Sequence, residues 1–183
     1  MEQRPVCELA SVQPRELVAF KRELQRAFTF AAREFFSDLG ERLLPPIEDV
    51  EESLGDPAAE ALHIVSNEER IGGAVVRIDP ETGRNSLDFL FIAPEHHNKG
   101  IGLAAWRAIE AHYPATRVWE LVTPYHEQRN IHFYVNRCGF SIVEYYNPRH
   151  PDPWGAREDG QHYPGEENGL FRFEKADALA ADR

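Results

Sequence analysis

The chain has 183 residues, with 20 Lys and Arg against 31 Asp and Glu, for a net charge of −11. Hydrophobic residues make up 42% and charged residues 28%, the balance of a folded chain whose length suits one domain with one sizeable core. The acidity argues against nucleic acid or an anionic membrane as partner, and no stretch approaches the ~18 apolar residues of a membrane helix.

Residues 6–12 read as a strand, after which Pro14 opens a helix. Leu17, Phe20, Leu24, Phe28, Ala31 and Phe35 recur at spacings of three and four, marking one apolar face over about five turns. Gly40 and Pro45-Pro46 break that helix, residues 47–54 form a short second one, and Gly55-Asp56-Pro57 closes the section. The period then changes. Residues 61–66, 71–78 and 87–92 read as strands joined by Asn67-Glu68-Glu69 and by Asp79-Pro80-Glu81-Thr82-Gly83, both turn chemistry. Three strands on short turns make an antiparallel meander. A helix follows over 102–113, with Leu103, Trp106, Ile109 and Tyr113 as its buried stripe and Pro114 as its stop.

Residues 118–122 read as a strand, 127–138 as a helix and 140–146 as a strand. Residues 147–169, rich in Pro, Gly and His, read as a long loop, and 170–173 as a last strand. Residues 1–175 are expected to form a single domain, with 176–183 as a charged tail. The order β-α-α-β-β-β-α-β-α-β-β is an α+β plan, and a meander running into a strand-helix-strand unit makes the sheet mixed.

The N-terminus lacks the apolar run of a signal peptide, so a cytoplasmic location is expected. Cys7 and Cys138 then read as buried small apolar groups in a reducing compartment. His96 and His97 are adjacent, and His126 and His132 are six apart, so none has the spacing of a zinc site and no metal is expected.

The segment His96-His97-Asn98-Lys99-Gly100-Ile101-Gly102-Leu103 carries most information. Two glycines at i and i+2 let the backbone turn tightly, and they lead into a helix whose first N–H groups lack internal partners. That combination suits phosphate oxygens, and Lys99 adds a cation; a plain strand-to-helix turn uses the same glycines. Gly100-Ile101-Gly102-Leu103-Ala104-Ala105 also fits the dinucleotide fingerprint, with Glu120 twenty residues on. Against that reading, Ala93 to Lys99 intervene between the strand and the first glycine, and an antiparallel meander precedes the loop.

The stretch Phe91-Ile92-Ala93-Pro94-Glu95-His96-His97-Asn98-Lys99-Gly100-Ile101-Gly102 resembles the coenzyme A loop of the GCN5-related N-acetyltransferase (GNAT) family, Q/R-x-x-G-x-G/A after a strand ending V-x-P. Asn130-Ile131-His132-Phe133-Tyr134, with Cys138-Gly139-Phe140 beyond, resembles that family's N-x-x-FY-x-x-x-GF helix and strand. The resemblance covers residues 6–174 and implies a three-layer α/β/α fold around a central mixed, mostly antiparallel sheet. It also implies acetyl-CoA as co-substrate and transfer of the acetyl group to a primary amine, on a small molecule or a protein. Two departures stand out. His97 occupies the Gln/Arg position, and Gly139 comes five positions after Tyr134 where many members have four.

By the resemblance, the backbone around Phe91 and Ile92 pairs with the pantetheine arm, and the N–H groups from Asn98 to Leu103 hold the pyrophosphate. Asn130 bonds the pantetheine or a backbone carbonyl, and Tyr134 is the general acid; as an aromatic on a helix face, Tyr134 also fits a packing role beside Phe133. Transfer needs an acceptor for the amine proton, because a lysine-like amine has a pKa of about 10.4. Glu120 is the first candidate, since alternation puts it on the face opposite Trp119 and Leu121. It also fits a solvated position or a pair with Arg117. Asp88 and Glu48 are further candidates. The aromatic residues Tyr145, Tyr146, Trp154 and Tyr163 fit a homodimer contact, a wall of the acceptor pocket or packing on their own domain. A non-catalytic acyl-CoA-binding module and a dinucleotide-dependent oxidoreductase are the alternatives from other classes.

Overall fold

The alternating segments of the first half pair as neighbouring antiparallel strands: β1 (Glu8–Ser11), β2 (Ala59–Ser66), β3 (Glu69–Arg77) and β4 (Arg84–Ile92). The computed structural model describes residues 5–97, 100–153 and 169–176, and the chain divides into two units between Thr116 and Arg117. In the first unit Leu62 sits opposite Ala74, and Ala74 opposite Leu90. Asn67 and Glu68 both take positive φ, 52° and 65°, which gives the β2–β3 hairpin the twist of a tight two-residue turn.

Helices cover both faces of this sheet. On one, α1 (Leu17–Ala32) buries Phe20 and Leu24, and α2 (Ile47–Gly55) buries Val50, all against Val75 and Phe91. Full burial of a side chain such as Phe20 contributes about 1.5–3 kcal/mol. On the other face, Ile64 and Ile71 pack on Ile101 and Ala105 of α3 (Ile101–His112), with Leu90 and Ile92 beside them. Ile71 belongs to this face because a bulge between Ile64 and Val65 shifts the register at that point.

The α1 face is shorter than the spacing predicts. The helix ends at Ala32, and Phe35, expected to continue the apolar stripe, is exposed. Phe28 is the last residue of α1 that packs on the Phe20–Phe91 cluster. Two buried polar residues on α1 instead bind the chain that returns from it. Gln25 Nε2 donates to the Pro45 carbonyl at 2.8 Å, and Thr29 Oγ1 accepts the Leu44 N–H at 2.8 Å. Cys7 also departs from expectation: it is half-buried, with Sγ 4.0 Å from the Ile101 carbonyl, whereas Cys138 is buried as predicted.

The second unit has β5 (Val118–Pro124), β6 (Ser141–Tyr146) and β7 (Leu170–Ala176), with β7 antiparallel to both others. The last strand therefore runs three residues beyond the predicted 170–173. Between β5 and β6 lies α4 (Gln128–His132), continued by a wider π-helical turn over Phe133–Cys138. Trp119, Leu121, Phe140, Tyr146 and Phe173 are buried, and Tyr145 faces solvent. Asn147 and His150 close a short turn, whereas Trp154 and Tyr163 lie outside the described residues. Among the described residues no helix is long and apolar enough to cross a membrane, and no cluster of His, Cys, Asp or Glu could hold a metal ion.

Candidate active site

In the first unit the site is built where β4 gives way to α3. Phe91 turns its ring into the core, 5.4 Å from the ring of Phe20, so only its backbone remains for a ligand. Two glycines on β3 bring the neighbouring strand unusually close. A Cβ on Gly72 would stand 2.1 Å from the Phe91 carbonyl oxygen, and one on Gly73 would stand 2.4 Å from the Phe20 ring. The sequence shows this only as a Gly-Gly pair inside a strand otherwise rich in Ile and Val.

A short 3-10 turn, Pro94–His96, follows β4, and Glu95 pairs there with Arg26 of α1. His97 does not point toward the helix N-terminus. Its Nε2 lies 2.9 Å from the Ile92 carbonyl, and its ring meets Phe30. Asn98 and Lys99 lie outside the described residues. Gly100 stands at the cap of α3 with φ +70°, a left-handed conformation in which a side chain is strained. Among the described residues, an added Cβ there would meet nothing nearer than Pro5 Cγ at 4.0 Å. Having no side chain, Gly100 cannot cap the first N–H groups of Ile101, Gly102 and Leu103, and an external anion suits them.

The carboxylate candidates of this unit differ sharply. Asp88 accepts hydrogen bonds from Ser53 Oγ at 2.6 Å and Ser86 Oγ at 2.8 Å, and Arg77 Nε lies 3.0 Å away. Both of its carboxylate oxygens are therefore engaged. Glu48, in the first turn of α2, is exposed.

In the second unit Glu120 is half-buried on the face opposite Trp119 and Leu121, as alternation predicts. Arg172 of β7 pairs with it, Nη1 to Oε1 at 3.6 Å. Arg172 also reaches Glu174 at 2.7 Å and Glu144 at 3.2 Å, so one guanidinium serves three carboxylates. His150, Tyr146 and Arg172 together hold Glu144 below the usual carboxylate range.

Tyr134 sits in the π-helical turn, its ring packed on Phe133, Phe140 and Phe173 at 5.1, 5.7 and 6.2 Å. The wider turn accommodates the extra residue between Tyr134 and Gly139. Gly139, left-handed at φ +83°, ends it, and the Phe140 N–H bonds back to the Tyr134 carbonyl at 2.9 Å. Tyr134 as a whole is half-buried. Burial first, then the charges of Cys138 and Glu127, push the phenol well above its ordinary range.

Asn130 donates its side-chain amide to Glu127, which sequence reasoning passed over. Burial raises the Glu127 carboxyl above its ordinary value, while the Asn130 hydrogen bond works to lower it. The signal was present: Glu127, Asn130 and Tyr134 recur at i, i+3 and i+7, one face of a helix.

The sequence profile of the Acetyltransferase (GNAT) family matches residues 19–140. An uncharacterized protein of Bacillus subtilis (strain 168), YrkN, is 46% identical over 177 residues, which is 95% of this chain and 94% of that protein. Among solved structures, the spermidine N-acetyltransferase from Vibrio cholerae, in complex with CoA and spermine, is similar with a TM-score of 0.65 and 13% identity. The match covers 96% of this chain and 98% of that one. The ribosomal-protein-S18-alanine N-acetyltransferase from Escherichia coli is similar with a TM-score of 0.63 and 13% identity, over 93% of this chain and 94% of its own. At those identities the likeness is one of fold, and it bears out the expected α+β fold with a mixed, mostly antiparallel sheet.

Proposed function

This chain belongs to the Acetyltransferase (GNAT) family of acyl-CoA-dependent N-acetyltransferases, and on that premise we propose that it moves an acetyl group from acetyl-CoA to a primary amine by direct attack in a ternary complex. The observation that carries the coenzyme side of this reading is Gly100, left-handed at the cap of α3 in the loop that follows β4. There the N–H groups of Ile101, Gly102 and Leu103 suit the pyrophosphate, and the β4 backbone at Phe91 and Ile92 suits the pantetheine amides. His97, bonded to the Ile92 carbonyl, braces the end of that strand rather than reaching for phosphate.

In the proposed step the amine nitrogen attacks the thioester carbonyl carbon, forming a C–N bond and sending the C=O pair onto oxygen. That pair then returns as the C–S bond breaks, leaving its electrons on sulfur. The ammonium has first given one proton to solvent; after attack the nitrogen loses its second to a base, the sulfur gains one from the Tyr134 hydroxyl, and the products are an amide and free coenzyme A. Glu120 remains the assigned base of this reading. Arg172 Nη1 stands 3.6 Å from its Oε1, whereas Asp88 is committed to Ser53, Ser86 and Arg77. The net charge of −11 favours a cationic acceptor, and the Vibrio cholerae enzyme's polyamine makes spermidine the first amine to try.

The test is a thermal-shift titration with acetyl-CoA, coenzyme A, NAD and NADP side by side. A ligand at about 100 times its dissociation constant adds roughly 2.7 kcal/mol of stability. Stabilisation by acetyl-CoA and coenzyme A alone is expected. Stabilisation without thiol release toward any amine would leave an acyl-CoA-binding module, and no stabilisation would sink the reading.

Gly102→Val tests the loop itself. A branched Cβ in the first turn of α3 crowds the phosphate site, so coenzyme A affinity should fall at least about tenfold, ~1.4 kcal/mol. The melting temperature without ligand serves as the control. Unchanged affinity would remove this loop from the coenzyme site.

A further inference from the structure

Helix α1 turns Phe20, Leu24 and Ala27 into the core, and a second stripe along it faces water. Arg22, Arg26, Phe30 and the cap residue Arg33 follow one another at spacings of four, four and three, so they share one face, and all four are exposed. Phe30 keeps 51% of its surface exposed. Between Arg15 and Arg33 five basic residues stand against two acidic ones, Glu16 and Glu23, although the chain as a whole carries −11. The stripe borders the loop that leads into α3. Arg26 pairs with Glu95 of the turn after β4, and the Phe30 ring meets the His97 ring in a T-shaped contact, centroids 6.0 Å apart. Glu95 and His97 precede Gly100, the cap of α3, by five and three residues.

In the acetyltransferase reading the β4 edge takes the pantetheine arm and the start of α3 takes the pyrophosphate, which leaves the adenine and the 3′-phosphate to a surface beside the same loop. We infer that the α1 stripe is that surface: Phe30 stacks on the adenine, and Arg26 and Arg33, about one turn to either side, draw the 3′-phosphate. The inference rests on the acetyltransferase reading and extends it to the nucleotide end of the coenzyme. Charge favours this occupant over the amine. A protonated polyamine would meet three guanidinium groups of its own sign, whereas a phosphate meets charge-assisted donors. Arg26 gives Nη2 to Glu95, and its planar fork has further N–H donors for a second anion. A purine presents a flat π face, and an aromatic ring already half in water can stack on it without leaving the core. His97, held at the Ile92 carbonyl, buttresses that ring.

The experiment measures binding by calorimetry for coenzyme A, dephospho-coenzyme A and 4′-phosphopantetheine, in the full chain and its variants. F30A should bind coenzyme A and dephospho-coenzyme A at least about fivefold more weakly, the low end for losing one base stack, and 4′-phosphopantetheine within about twofold of wild type. F30L should match F30A, because bulk without a π face does not stack, and F30W should restore the affinity. R26Q/R33Q should erase the preference for coenzyme A over dephospho-coenzyme A, which differ only in the 3′-phosphate. Wild-type affinity of F30A for coenzyme A overturns the inference. So does an equal loss toward 4′-phosphopantetheine, which would make Phe30 a brace of the loop, and so does an unchanged preference in R26Q/R33Q. Phe30 and both arginines are exposed, so the variants are expected to melt with wild type, and the melting temperature is the control. Coenzyme A that fails to bind wild type sinks the acetyltransferase reading and this inference together, whereas binding that ignores Phe30 sinks the inference alone.

Discussion

A Tyr134→Phe enzyme should release thiol from acetyl-CoA about 10²- to 10⁴-fold more slowly than wild type, with acetyl-CoA affinity unchanged within about twofold. The ring makes its contacts through carbon, with Phe133, Phe140 and Phe173 at 5.1–6.2 Å, so phenylalanine fills the same space. What disappears is one O–H. In the wild type that proton stays on oxygen throughout the neutral range, because burial and the Cys138 and Glu127 charges raise the phenol. The alkaline limb of the wild-type rate profile is therefore not expected to report Tyr134. Steady-state kinetics with spermidine and a binding isotherm for acetyl-CoA separate the two quantities. Wild-type turnover would remove Tyr134 as the acid, and a parallel loss of affinity and melting temperature would recast it as a packing residue.

Gly72→Ala should destabilise the fold by more than about 3 kcal/mol, beyond the usual range for overpacking, because the group it meets is backbone. The new Cβ would stand 2.1 Å from the Phe91 carbonyl oxygen and 3.0 Å from Ile92 Cα. Gly72 faces Ile92 across the β3–β4 ladder, and the Ala93 N–H bonds the Ile71 carbonyl at 2.8 Å just beyond. Neither strand can withdraw without opening those bonds. For a chain of this length, 3 kcal/mol lowers the melting temperature by roughly 6–12 °C. Since the displaced atoms are the proposed pantetheine edge, coenzyme A affinity should fall with it. Gly55→Ala is the control: its added Cβ meets nothing within 4 Å, and its melting temperature should not fall. A wild-type melting temperature for Gly72→Ala would mean that β4 moves freely at Phe91 and is no fixed edge for a ligand.

The sequence by itself determined the element order, the meander and the Gly100-Ile101-Gly102 loop, because hydrophobic period and turn chemistry act between residues close in the chain. The Leu17–Phe28 stripe and the Asn67-Glu68 turn were legible for that reason, and so was the side of β5 on which Glu120 lies. Where α1 stops was not, since Phe35 has the right spacing and yet lies exposed beyond the helix end at Ala32. Tertiary structure alone decided which polar groups are already engaged. Arg172, 52 positions from Glu120, supplies its partner, and Ser53, 35 positions from Asp88, occupies that carboxylate. His97 turns back to the Ile92 carbonyl, and Glu127 acquires its raised proton affinity from burial. A carboxylate's basicity depends on the donors and the dielectric around it, and both are set by segments distant in the chain, which no local pattern reports.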